Sequence, residues 1–87
     1  MTKKEKFLFR ILSGRNDQNI NFEDLIKLLD QAGFRNRIRG DHFIFWKEGI
    51  TEILNLQPVG KLAKAYQVKQ VRNVLTKYNL VEEIEES

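Results

Sequence analysis

The sequence predicts a small α+β domain in which helices cover one face of a three-stranded antiparallel sheet and the other face is left open. Apolar residues recur at helical spacing near both ends of the chain, whereas residues 34–57 alternate with the period of two that is typical of strands. The element order is therefore helix, helix, three strands, helix. A length of 87 residues allows one domain with one modest core.

Two helices are predicted before the strands. The first covers residues 3–13, and the polar residues 14–19 after it form a loop. The second covers residues 22–32; Asn21 is its N-cap, and Gly33 ends it because glycine readily adopts the left-handed conformation. Its apolar stripe comprises Phe22, Leu25, Ile26, Leu29 and Ala32.

A meander of three strands follows. The first strand covers residues 34–39, and the turn Gly40-Asp41 separates it from the second, residues 42–47. The third covers residues 50–57 and ends at Pro58, which cannot donate a ladder hydrogen bond.

Strand alternation decides which side chains face the helices. Phe43 and Phe45 are predicted to face the core. His42, Ile44 and Trp46 then lie on the open face, and Arg35, Arg37 and Arg39 share one face of the first strand.

The remaining residues are predicted as a basic loop, a helix and a tail. The loop covers residues 58–65 and the helix about 67–78, with Asn79 in the left-handed position at its end. From Val81 onward the chain is expected to be loosely ordered.

Charge is distributed unevenly along the chain. The net charge is +3, from 15 Lys and Arg against 12 Asp and Glu, but four of the acids lie in the tail, residues 81–87. Residues 1–80 therefore carry a net charge of +7. Such a charge favours a polyanionic partner such as nucleic acid, and it equally serves solubility.

The composition excludes several kinds of chemistry. With no cysteine and one histidine, disulfides, thiol nucleophiles and Cys/His or multi-His metal sites are ruled out. Gly60-Lys61 lacks the preceding glycine of a phosphate-binding loop, and neither a nucleophilic serine motif nor a paired-carboxylate motif is present. The longest apolar run, Phe43–Trp46, is far too short to span a membrane, so we expect a cytoplasmic protein without a membrane partner. Imidazole acid–base chemistry can come only from His42, although a lone histidine at a strand end is usually a surface residue.

Basic residues of the predicted strands, of the loop after them and of the start of the last helix are candidates for binding nucleic acid. Trp46 and Tyr66 lie among them and can stack on unpaired bases. The alternative is structural: the cations form a solvated rim and the aromatic side chains serve packing. The candidate cations are Arg35, Arg37, Arg39, Lys47, Lys61, Lys64, Lys69 and Arg72.

Three segments, taken in their order along the chain, resemble a known family. Phe22–Phe34 is a helix that ends in glycine and an aromatic residue, and Arg39–Phe45 has Gly-Asp-His before a strand. Ala65–Val71, continuing to Leu75–Leu80, is the closing helix. In order and spacing they resemble the HicA toxins of bacterial toxin–antitoxin systems, whose second segment reads Gly-Ser-His. The resemblance covers about residues 20–80 and leaves residues 1–19 as an N-terminal helical extension and loop.

The resemblance implies a double-stranded-RNA-binding-like fold and metal-independent cleavage of mRNA, neutralised by a HicB-like antitoxin and needing no cofactor. His42 matches the family's catalytic histidine and Gly40 its turn residue. Asp41 replaces the family's serine; its carboxylate would repel a phosphate but would favour a protonated imidazole. The residues predicted to bind RNA are Arg37, Arg39, Gly40, Lys47, Lys61, Lys64, Tyr66 and Lys69.

Cleavage of this kind needs a base for the ribose 2′-hydroxyl, cations for the phosphorane and an acid for the leaving oxygen. His42 is the candidate base, and the charge or the acid is left open among Lys47, Lys61, Lys64 and Tyr66. Two alternatives remain open: a non-catalytic RNA-binding module of the same fold, and a domain whose basic face binds only an acidic protein partner.

Overall fold

Four helices and five short strands make up the computed structural model, which describes all 87 residues. In chain order they are α1 (Lys3–Ser13), a 3₁₀ turn (Asp17–Asn19), α2 (Phe22–Gln31), β1 (Arg35–Arg39), β2 (His42–Trp46), β3 (Leu54–Leu56), β4 (Pro58–Val59), β5 (Leu62–Ala63), α3 (Ala65–Lys77) and α4 (Val81–Glu86). None of the helices has the length and the apolar character that crossing a bilayer requires.

The helix ends follow the local sequence. Helix α2 begins where the Asn21 Oδ1 accepts a hydrogen bond from the Asp24 backbone N–H at 3.0 Å. It is followed by Gly33 at φ +88°, and α3 is followed by Asn79 at φ +53°. The predicted N-cap and both predicted left-handed residues are therefore confirmed.

The predicted antiparallel meander is confirmed, with strand order β1-β2-β3. In the register, Arg39 lies opposite His42, and Ile44 lies opposite Arg37 on one side and Asn55 on the other. Residues directly opposite each other in a sheet point to the same face. These residues therefore share one face, which we call the outer face.

The core lies on the other face of the sheet. Phe45, Leu54 and Leu56 are fully buried there against residues of the helices, in one cluster of 19 buried side chains. The first and last helices contribute to the same cluster, through Leu8 and Ile84 among others. On the outer face Ile44 is half-buried, and the arginines, His42, Trp46 and Asn55 are exposed, so the helices cover one face only, as predicted.

A second, two-stranded sheet replaces part of the predicted basic loop. The three-stranded sheet ends before Pro58, as predicted, but Pro58 also opens β4, which pairs with β5 across a turn at Gly60, where φ is +60°. Backbone hydrogen bonds tie this hairpin to the start of α2: the Phe22 N–H donates to Lys61 O at 2.9 Å, and the Ala63 N–H donates to Ile20 O at 2.8 Å. The helix that follows begins at Ala65, two residues earlier than predicted.

The predicted third strand is longer than the observed one. Residues 50–53 lie outside β3 and run toward the end of α3. There the Glu52 carboxylate accepts hydrogen bonds from the Tyr78 hydroxyl and, at 2.9 Å, from Lys77 Nζ. Within residues 50–53, Glu52 thus contacts the end of α3, and these residues do not pair with β2.

The prediction of a loosely ordered tail is wrong. Residues 81–86 form α4 because Ile84 is fully buried in the core. One ion pair and one hydrogen bond hold the helix from outside: Lys47 Nζ lies 3.1 Å from Glu83 Oε2, and Lys4 Nζ donates to the backbone oxygen of Ser87 at 2.6 Å. The acidic tail is thus part of the packed fold.

Candidate nucleic-acid interface and histidine site

The outer face presents its polar side chains in cross-strand rows. One row pairs Arg39 with His42, the middle row contains Arg37, Ile44 and Asn55, and the third pairs Arg35 with Trp46. Successive rows are about 7 Å apart, because side chains on one face of a strand recur every two residues. The three predicted guanidinium groups therefore lie in a line beside the histidine.

His42 stands directly after the β1–β2 turn. Gly40 adopts φ +60° with no atom within 4 Å of where a Cβ would lie, so the turn requires glycine for its conformation and not for space. The side chain of His42 is 48% exposed. The ring is therefore accessible to a large ligand approaching the outer face.

Asn55 holds one nitrogen of the ring. His42 Nδ1 lies 3.1 Å from Asn55 Oδ1, and with this oxygen as acceptor Nδ1 carries the proton. In the neutral ring the lone pair is then on Nε2, which becomes the atom that can accept a proton. Sequence reasoning missed Asn55. A single polar residue between Leu54 and Leu56 indicates a side chain on the outer face. The strand register is needed to show that this side chain lies beside His42.

A carboxylate lies on the other side of the ring. Asp41 Oδ1 is 3.8 Å from His42 Nε2. Asp41 also accepts a hydrogen bond from Gln57 Nε2 at 2.6 Å, and this bond is the main cause that lowers its pKa, with smaller effects from the charges of His42 and Lys64. Asp41 is therefore ionised at neutral pH, and Lys64 is close enough to act on it electrostatically.

A buried glutamine fixes the residue that holds Asp41. The amide of Gln67, which is 1% exposed, faces the backbone N and O of Gln57 at 3.1 Å each; the orientation that satisfies both partners has the amide nitrogen donating to Gln57 O and the amide oxygen accepting from Gln57 N. Helix α3 is thereby tied to the chain between β3 and β4. Sequence reasoning missed this contact as well; its signal is a polar residue one turn before Val71 on the buried stripe of α3.

Two predicted cations do not join the outer face. Lys47 follows β2 on the side of the helices, where it is paired with Glu83. Arg72 donates to both carboxylate oxygens of Asp17, at 2.9 and 3.0 Å, and this pairing raises its pKa. Both cations are therefore already paired with acidic residues of the same chain.

The other predicted RNA-binding residues lie along the hairpin and the start of α3. Lys61 is exposed beside Gly60 in the β4–β5 turn, Lys64 is the N-cap residue of α3, and Tyr66 and Lys69 lie in the first turns of that helix. Tyr66 is 64% exposed and is not a packing residue. Of these residues, Lys64 has a small electrostatic effect on the pKa of Asp41.

Neither a metal site nor a known relative adds to this description. No group of three or more histidine, aspartate or glutamate side chains is arranged to hold a metal ion. Comparison with protein-family models, curated proteins and solved structures finds no match in any of the three.

Proposed function

We propose that this protein is a HicA-like toxin: a metal-independent endoribonuclease of double-stranded-RNA-binding-like fold that cleaves mRNA and is neutralised by a HicB-like antitoxin. The observation that carries the proposal is the setting of the only histidine. His42 lies on an open sheet face beside a line of arginines, with Nδ1 held by Asn55 and Nε2 directed away from that bond.

This geometry suits cleavage through the ribose 2′-hydroxyl. His42 Nε2 accepts the hydroxyl proton, the 2′-oxygen attacks the adjacent phosphorus, and the bond from phosphorus to the 5′-oxygen breaks after an acid protonates that oxygen. Arg37 and Arg39 neutralise the charge that develops on the phosphorane. The acid is left open among Lys61, Lys64 and Tyr66, because Lys47 is paired with Glu83. The products are a 2′,3′-cyclic phosphate and a 5′-hydroxyl.

Asp41 favours a second candidate function. Its ionised carboxylate, 3.8 Å from Nε2, repels a phosphate at the position where the reaction requires one. A non-catalytic RNA-binding module of the same fold tolerates this charge, because binding through the line of arginines does not need Nε2.

Cleavage of single-stranded RNA in the presence of a chelator tests the proposal. We expect the protein to produce cyclic-phosphate ends and His42→Ala to slow cleavage by about 10²–10⁴-fold. Circular dichroism checks that the variant is folded. Arg15→Ala, which removes an exposed cation from the loop after α1, is the matched control and should cleave normally.

Three outcomes separate the candidates. Equal cleavage by folded His42→Ala contradicts the catalytic role. Salt-sensitive RNA binding without cleavage by the unaltered protein favours the binding module. The toxin is supported if expression arrests growth, if His42→Ala abolishes the arrest, and if a HicB-like protein encoded by the neighbouring gene relieves it.

A further inference from the structure

We propose that Trp46 is a base-stacking site that restricts the ligand of the outer face to single-stranded RNA. This inference rests on the proposed RNA-binding function and goes beyond it by naming the substrate class and the residue that selects it. The site lies at the opposite end of β2 from His42.

The exposure of Trp46 is the first observation. The largest apolar side chain of the protein lies on the outer face and is 36% exposed, although the core on the other side of the sheet buries side chains as large as Phe45 completely. Ile53 beside it is 63% exposed. Both line an open depression of about 460 Å³ that no element of the chain covers.

The charge around this depression is the second observation. Arg35 lies directly opposite Trp46 in the register and also lines the depression. The other charged residues that line it are Lys47, which is paired with Glu83, and one acid, Glu48. Arg37 and Arg39 continue the line of cations toward His42. An aromatic ring beside such a line suits single-stranded nucleic acid, whose phosphates follow the cations while a base stacks on the ring.

The distance to His42 is the third observation. His42 and Trp46 are four residues apart on the same face of one strand, which corresponds to about 13 Å. If the nucleotides between them are stacked at about 3.4 Å each, the base on Trp46 is about four nucleotides from the linkage that His42 attacks. Bases in a duplex are paired and stacked on one another and do not present a free face to Trp46, so the site selects single strands.

Trp46 also provides the measurement, because it is the only tryptophan in the chain. A 2′-O-methyl RNA of about 10 nucleotides, within the range of known single-strand sites, is titrated into the full-length protein at low salt. The methyl groups prevent cleavage. We expect saturable quenching of Trp46 fluorescence that follows the anisotropy of the labelled RNA, and much weaker quenching by the same sequence as a duplex.

Substitutions extend the test. Trp46→Ala should weaken single-strand binding by roughly 5- to 150-fold, the usual effect of losing one stacked base, and Trp46→Phe, which keeps a ring, should lie between. Phe9→Ala removes an exposed aromatic side chain from α1 and serves as the matched control, with no loss of binding expected.

The outcomes distinguish this inference from the proposed function. RNA binding without quenching, together with normal affinity of Trp46→Phe and Trp46→Ala, overturns the stacking site and leaves RNA binding intact. Equal quenching by duplex overturns the single-strand selection. Absence of any RNA binding at low salt overturns the proposed function itself. If Trp46→Ala impairs only neutralisation by a protein partner, the depression is a protein site and the inference is wrong.

Discussion

His42 lies between two oxygen atoms that act on different ring nitrogens. Asn55 Oδ1 holds Nδ1 at 3.1 Å, and Asp41 Oδ1 lies 3.8 Å from Nε2. Neither contact involves the core, so each of these two neighbours can be changed without creating a cavity. The histidine site can therefore be dissected by single substitutions.

Replacing Asn55 by alanine should release the imidazole. Without an acceptor at Nδ1, the neutral ring loses the preference that keeps the lone pair on Nε2, and nitrogen chemical shifts of His42 should report the altered tautomer. The loss of one hydrogen bond should slow RNA cleavage by about five- to tenfold, with little change in RNA affinity.

Asn36→Ala provides the control for this substitution, because Asn36 lies on β1 but contacts Asp30 of α2 instead of the outer face. It should alter neither the His42 shifts nor the cleavage rate. Unchanged shifts in Asn55→Ala would show that Asn55 does not position the ring.

How far single residues could be predicted depended on the range of their contacts. The outward placement of His42 followed from strand alternation alone, and Gly40 followed from the turn it occupies. Asn55 and Gln57 could not be assigned, because their contacts with His42 and Asp41 span 13 and 16 residues and depend on the register of β3. Strand alternation shows which face of the sheet a side chain occupies, whereas the strand register is needed to show which residue of the next strand lies beside it.

Among the secondary-structure elements, those stabilised by tertiary contacts were the ones that prediction missed. Helix α4 has six residues and no side-chain cap, so it is too short to be stable by itself. It forms because Ile84 is buried in the core. The hairpin β4–β5 similarly depends on hydrogen bonds to Ile20 and Phe22, whereas α2 carries its own cap and apolar stripe and was predicted to within one residue.

The contact between Glu52 and the end of α3 makes stability depend on pH. Hydrogen bonds from Tyr78 first, and then from Lys77, lower the pKa of Glu52 below its usual 4.5. A carboxylate with a depressed folded-state pKa stabilises the fold above its ordinary pKa, and this contribution is lost as the pH falls through the depressed value. On the alkaline side, Glu52 raises the pKa of Lys77 above its usual 10.5. The stabilisation from this ion pair is therefore complete below pH 10.5 and is lost as the pH rises through the raised pKa.

Glu52→Gln should therefore lower the urea midpoint slightly at pH 7, and the difference from the unaltered protein should vanish as the pH falls well below 4.5. The effect is small because the pair is exposed to solvent. Urea unfolding at a series of pH values measures it. Glu48→Gln, at an exposed glutamate that lies outside the helices and in no ion pair, should show no such pH-dependent difference. A difference that is the same at every pH would contradict the assignment.

Across the domain, folding separates the charges that the sequence leaves mixed. The acidic helix α4 pairs with Lys47, and the end of the chain binds Lys4, both on the side of the helices. In contrast, Arg35, Arg37 and Arg39 take part in no ion pair. The sequence shows a basic body with an acidic tail, but the packing of the tail was needed to show that its acids leave the three arginines of the outer face unpaired.

This arrangement predicts how salt should affect RNA binding. For a single strand, the logarithm of the binding constant falls with the logarithm of salt concentration with a slope of about −0.7 for each phosphate neutralised. Arg37→Ala should make the slope shallower by about 0.7, and replacing all three arginines of β1 by about 2. Arg15→Ala, which removes the same charge from the loop after α1, should leave the slope unchanged. Anisotropy titrations of an uncleavable single-stranded RNA over a range of salt concentrations provide the measurement. If Arg15→Ala and Arg37→Ala change the slope equally, the RNA responds to the net charge of the protein, and the outer face is not its binding surface.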